Sequence, residues 1–407
     1  MPDSSPFLRF RLGAMMFLQY AIWGAWAPIL GLHLGGLEAF QTDGQVDQGR
    51  IGLIYMTMPI ASIVAPFIGG QIADRYFAAQ NFLAVSQMLG GVVLLLVARM
   101  TGLAEVFVGM LIYNLLYAPT IALTNSIVFQ HWPNDRFSRI RVWGSIGWIA
   151  VNWVFGVLWM ELLGPRLVGQ VAVGQCLYFA GGASFLLGVF SLLLPHTPPA
   201  RQAGNPLAFL DAVGLMRKPA FAVMAVVAFF VALELQLYIV WGQTFLKQGL
   251  GLPESRVGPA LTAGQICELV MMVALPLVLR RCGFRLTMAI GIAAWGLRDL
   301  LFALGQPALL VLGAVSLHGV GFAFFFTVIF MFADTVAPKD IKSSAQSFLA
   351  SVTIGCGMLV GSLLAGPISS ASGHDWTRTF LVPAALCGAC LAALMIGFRH
   401  REDEQAG

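Results

Sequence analysis

Gln265 and Glu268 are an amide and an acid three residues apart in an apolar stretch running from Leu261 to Pro276. Residues at that spacing share one face of a helix. A carboxylate at the middle of a bilayer costs at least about 2.5–3.5 kcal/mol, so it faces a polar cavity or a partner. The pair therefore offers a group that can take up a proton beside a neutral group that can both donate and accept. That is the chemistry of a polar-solute site coupled to protons.

A second set of residues has matching chemistry. Arg141, Ser145 and Trp148 fall at i, i+4 and i+7 in Arg139-Ile-Arg141-Val-Trp-Gly-Ser145-Ile-Gly147-Trp148 and form one helical stripe. A guanidinium, a hydroxyl and a large ring on one face suit a polar solute that carries a ring. The bland alternative is an arginine that only sets topology beside a Gly-Ser packing pair. Arg136 and Arg139 already serve topology, which leaves Arg141 for the site.

Other polar residues interrupt apolar runs. Glu234 and Gln236 do so in Glu234-Leu-Gln236-Leu-Tyr238. Gln236 is expected in a cavity, and Glu234 is either a second proton-carrying acid or a solvated group near the membrane surface. Gln19 and Trp23, at i and i+4, are deep enough to face a cavity, with Tyr20 and Trp26 nearby. Tyr117 and Thr120, with Asn114 and Asn125, either line a cavity or bond between helices, and Pro119 is expected to kink their helix. His318 is either a proton-carrying group or, as the favoured reading, a structural hydrogen-bonded histidine. Arg298 and Asp299 are neighbours in the chain, so each is expected to pair with another helix. The six cysteines lie in or beside apolar segments, and Cys387-Gly-Ala-Cys390 reads as packing.

These residues need a membrane scaffold. Of 407 residues, 58% are hydrophobic and 10% charged, against about 25% charged in a soluble domain. Runs of about 20 residues are expected to span. Twelve occur, at about 8–33, 51–73, 79–99, 102–128, 140–163, 171–195, 218–246, 257–279, 284–304, 307–333, 344–370 and 377–398; they are called spans 1 to 12. The first is too long for a cleavable signal. The mid-chain polar stretch divides them into a six-helix bundle at 1–195, a cytoplasmic linker at 196–217 and a second bundle at 218–407. That 6+6 layout implies a site between two pseudo-equivalent halves. Of the 23 Lys and Arg, sixteen lie in one alternating set of loops and six in the other. Both termini are therefore expected in the cytoplasm of a multi-pass protein of the cell's inner membrane. The net charge of +4 needs no nucleic acid to explain it.

Gly69-Gly70-Gln-Ile-Ala-Asp74-Arg75, at the cytoplasmic end of span 2, resembles the loop signature of the major facilitator superfamily. Gly70, Asp74 and Arg75 are expected to gate the cytoplasmic side. The superfamily implies an all-α integral membrane fold. A narrower resemblance rests on Phe17-Leu-Gln-Tyr-Ala-Ile-Trp-Gly-Ala-Trp26, Tyr117-Ala-Pro-Thr120, Ile140-Arg-Val-Trp-Gly-Ser-Ile-Gly147, Glu234-Leu-Gln236, Gln265-Ile-Cys-Glu268, Trp295-Gly-Leu-Arg298 and Ser344-Ala-Gln-Ser347. In order along nearly the whole chain, these are similar to the nucleoside:proton symporter family.

That resemblance implies proton-driven nucleoside uptake, with substrate contacts at Arg141, Ser145, Trp148, Gln236, Gln265 and Glu268. Two positions depart from the family. Ala323 stands where span 10 usually carries an Asp, and Ile239 where span 7 carries an Asn. Proton coupling then rests on Glu268, with Glu234 as a second candidate, or it has been lost. The expected mechanism is symport by alternating access, by a chain working as a monomer in the lipid bilayer without cofactor or metal. A proton-coupled sugar or aromatic-acid symporter of the same superfamily fits the span 5 pattern as well. A non-transporting receptor would append a soluble domain, but only about seven residues precede span 1 and nine follow span 12. An enzyme would need a metal cluster or a Ser/His pair at one depth, and the spans offer neither.

Overall fold

The computed structural model describes residues 6–67, 77–133, 136–198, 212–338 and 341–399. Among them, ten helical runs are long and apolar enough to cross a membrane. Glu254–Leu304 is 51 residues long and breaks at Gly283, where φ is 66°. Only glycine adopts that backbone readily, so the run supplies both span 8 and span 9. Span 2 starts as Gln48–Tyr55, capped by the Asp47 carboxylate on the amides of Gly49 and Arg50. It resumes as Thr57–Phe67, where the described residues stop. Each of the twelve expected spans thus has a helical counterpart.

The fold is nearly all helical, with one short hairpin among the described residues. After span 1 (Pro6–Trp26 and Leu30–Gly35), Gln41–Thr42 pairs antiparallel with Gln45–Val46. Asp43 and Gly44, both at positive φ, form the connecting turn. An Asp-Gly pair with that backbone matches the twist of a two-residue hairpin. The kink expected at Pro119 does not end span 4, which runs as one helix from Leu103 to His131.

The chain forms two compact units. Met1–Pro206 and Leu246–Thr262 make the first; Leu207–Phe245 and Ala263–Gly407 make the second. In the first, span 1 packs on span 5 (Ser138–Trp153, continuing to Leu163), and span 3 (Ala79–Val97) on spans 4 and 6 (Cys176–Ser191). The span 1–span 5 contact is backbone to backbone. A Cβ at Gly147 would collide with the Phe17 carbonyl. Many outward-facing side chains are large and apolar, such as Leu186 and Leu193 in the first unit and Val273 and Ile396 in the second. A soluble monomer rarely exposes so much apolar surface, whereas membrane-spanning helices do.

Candidate functional site

In the first unit, the span 5 stripe meets the aromatic face of span 1. The Arg141 guanidinium lies over the Tyr20 ring, 4.0 Å from its centroid. The Trp148 ring meets Trp23 edge to face at 5.3 Å, and Trp23 lies 6.4 Å from Tyr117. Arg141, Ser145, Trp148, Tyr20 and Trp23 are each half-buried. They form a surface with one positive charge, one hydroxyl and several rings. Edge-to-face ring contacts of this kind contribute about 0.5–1.5 kcal/mol each and fix ring orientation.

Behind this surface lies a buried polar lattice. Gln19 Nε2 donates to Thr120 Oγ1 at 2.8 Å. Gln87 Nε2 donates to Gln19 Oε1 at 2.9 Å and to Thr120 Oγ1 at 3.1 Å. Thr120 donates to the Tyr117 carbonyl, and the Tyr117 hydroxyl to the Gln19 carbonyl, both at 2.6 Å. Ser184 donates to Gln87 Oε1 at 2.7 Å. Gln19, Tyr117 and Thr120 are thus joined across spans 1, 3, 4 and 6, and their polar atoms serve one another. Asn114 likewise bonds Thr57 of span 2 at 2.8 Å. Gln87 and Ser184 are not singled out by the sequence reading, although an amide in mid-span 3 is a signal that could have found them.

In the second unit, Gln265 and Glu268 sit where span 8 crosses span 10. A Cβ at Gly319 would strike the backbone of Gly264 and Glu268. Both polar side chains are half-buried, and Gln265 Oε1 is a buried acceptor with no hydrogen-bond partner. An acceptor left this way costs about 1–3 kcal/mol, which a ligand donor would recover. Gln236 is almost fully buried, and its Nε2 donates to Ser362 Oγ of span 11 at 2.8 Å.

Glu234 bonds Arg298 in a fully buried pair, so it is not a solvated group near the membrane surface. Arg298 pairs with another helix as expected, through Glu234 of span 7, and it also reaches its chain neighbour. Arg298 Nη2 and Nε also donate to Asp299 Oδ1 at 3.0 and 3.1 Å. The flexible arginine stem folds the guanidinium back to its chain neighbour. His318 stacks on Tyr238 at 5.5 Å, and its Nδ1 has no hydrogen-bond partner. Ala323 is buried. Gly70, Asp74 and Arg75 lie outside the described residues.

Known proteins match this chain end to end. A family model described as nucleoside H+ symporter covers residues 7–403. The putative nucleoside transporter YegT of Escherichia coli K12 is 32% identical, over 97% of this chain and 94% of that protein. Xanthosine permease of the same organism is 30% identical, over 97% of both chains. The crystal structure of nucleoside transporter NupG matches with a TM-score of 0.83 at 27% identity, covering 97% of this chain and 100% of that one. The fold is that of the major facilitator superfamily, and the chain is an integral membrane transporter, not an enzyme. With the match unbroken across both units, the chain belongs to the nucleoside H+ symporter family.

Proposed function

We propose that this transporter carries nucleosides with protons across the inner membrane by alternating access. The observation that carries this reading is the face made by Arg141, Ser145 and Trp148 against Tyr20 and Trp23. A nucleobase offers a π-face for the tryptophans and carbonyl or ring-nitrogen acceptors for a guanidinium. Ribose offers hydroxyls, which an amide and a carboxylate recognise. Gln265, with its unsatisfied Oε1, and Glu268 are the residues assigned to that task. Gln236 supports the site through Ser362, and the lattice of Gln19, Tyr117 and Thr120 fixes the aromatic wall from behind. Coupling falls to the intramembrane acids, Glu268 or Glu234.

The Lys and Arg bias supports cytoplasmic termini, and the division at 195 and 218 supports two six-helix bundles. We take the monomer as the working unit. The test is uptake of labelled uridine, adenosine and xanthosine into proteoliposomes under an inward proton gradient. Accumulation that a protonophore collapses is expected. A panel in which disaccharides compete and nucleosides do not would overturn the nucleoside assignment.

A further inference from the structure

Glu234 of span 7 and Arg298 and Asp299 of span 9 are all fully buried. One guanidinium serves both acids: Arg298 donates to Glu234 Oε1 and to Asp299 Oδ1. Three polar atoms of this cluster are left over. Glu234 Oε2, Asp299 Oδ2 and Arg298 Nη1 are buried without hydrogen-bond partners. One carboxylate oxygen of each acid and the Cys387 sulfur lie within 4.8 Å of one another.

The charge count does not close. Two carboxylates and one guanidinium leave one negative charge where no water reaches, and an unpaired buried charge is strongly unfavourable. A single proton removes it. That proton also turns one carboxylate oxygen into a donor, and an oxygen of the other acid lies within 4.8 Å. From this geometry we infer that Glu234 and Asp299, held by Arg298, are a proton-binding pair that takes up one proton between them. The inference rests on the symport reading and names its proton site.

The surroundings favour a proton over a metal cation. A metal cation would have to share both acids with the Arg298 guanidinium, whose positive charge repels it, and would find only one open oxygen on each acid. The other titratable groups around the cluster are Tyr238, His318, Cys387 and Cys390. Tyr238 lies under the guanidinium at 3.8 Å and stacks on His318 of span 10. Cys387 and Cys390 come from span 12, and none of the four supplies a fixed charge. The Arg298–Asp299 bonds lie within one helix, whereas the Glu234–Arg298 bond ties span 7 to span 9. Protonating Glu234 weakens that tie two residues from Gln236, whose amide holds span 11 through Ser362. A proton here therefore acts on the helix that carries the solute-site amide.

The test separates accumulation from exchange in proteoliposomes. Glu234→Gln and Asp299→Asn are each expected to lose gradient-driven nucleoside accumulation while keeping solute counterflow, which needs no net proton movement. Accumulation equal to wild type in both variants overturns the inference, as does accumulation driven by a sodium gradient in the wild type. Infrared spectra of the purified wild type give a readout that needs neither variant nor transport. A protonated-carboxyl stretch that resists deuterium exchange is expected, and its absence at every pH overturns the site. A wild type that moves no nucleoside while showing that band would instead count against the nucleoside reading.

Discussion

The Arg141 guanidinium lies over the Tyr20 ring, 4.0 Å from the centroid. Stacking spares its edge N–H groups for a solute, so the contact orients the arginine without satisfying it. Arg141→Ala removes a charge-assisted hydrogen bond worth about 1.5–3 kcal/mol, so nucleoside affinity should fall about 10- to 150-fold. Arg141→Lys should recover part of it, because lysine keeps the charge but not the planar fork. Calorimetric titration of the detergent-solubilised protein measures both. A dissociation constant within twofold of wild type for Arg141→Ala would remove the arginine from the site.

The lattice behind the aromatic wall makes a different prediction. Gln87 donates to Gln19 and Thr120 and accepts from Ser184. Gln87→Leu strands Gln19 Oε1 at about 1–3 kcal/mol and removes further bonds to Thr120 and Ser184, which keep their bonds to Gln19 and to the residue 87 carbonyl. The midpoint of thermal unfolding should drop clearly. Ser184→Ala removes one donor only and should cost less. Equal midpoints for Gln87→Leu and wild type would mean that the lattice contributes nothing to stability.

How much of this was legible in the sequence depended on what the membrane dictates. Span length follows from bilayer thickness and loop charge from topology, so the twelve spans could be read directly. Even the Gly283 break left its mark as the polar run from Arg280 to Arg285. The residues of the aromatic wall could also be read, because Arg141, Ser145 and Trp148 share a helical stripe. Burial partners could not. Gln19 at mid-span marks a polar need but not whether a solute or Gln87 answers it. Arg298 and Asp299 point roughly 100° apart on a helix, which argued against their pairing. The guanidinium reaches back over that angle because its stem is long, and chain position alone carries no trace of that.

Close helix crossings should be intolerant of bulk. Gly147 faces the Phe17 carbonyl, and Gly319 faces the backbone of Gly264 and Glu268. Neither neighbour is a flexible side-chain end, so backbone must move to admit a methyl group. Overpacking of this kind costs about 1–3 kcal/mol. Gly319→Ala should also displace Gln265 and Glu268, weakening nucleoside binding along with stability. Gly147→Ala displaces the span 5 stripe in the same way. Gly313, which has open space around it, is the control. Gly313→Ala should leave melting and binding unchanged. Melting curves and titrations on the three variants check this, and a harmless Gly319→Ala would show that the crossing can relax.

The last prediction concerns the segment Leu246–Thr262, which belongs to the first unit although the spans on either side of it continue into the second. It is held to the end of span 5 by Glu161, which accepts from Ser255 Oγ at 2.8 Å and from Arg256 Nη2 at 2.6 Å. Trp153 Nε1 adds a bond to Thr262 Oγ1 at 3.1 Å, and Asn152 lies against Gly258. Arg256 is about half exposed, and an exposed ion pair contributes about 0–1 kcal/mol. Arg256→Ala should therefore leave the melting midpoint nearly unchanged. The segment itself should open more often, because local opening depends on local contacts and not on global stability. Hydrogen–deuterium exchange followed by mass spectrometry should show faster labelling confined to peptides spanning residues 249 to 262. The gain should shrink when wild type and variant are compared at high salt, where the ion pair is screened. Labelling that is the same in both proteins at low salt would mean that Asn152, Trp153 and the close backbone contact hold the segment without the charge pair.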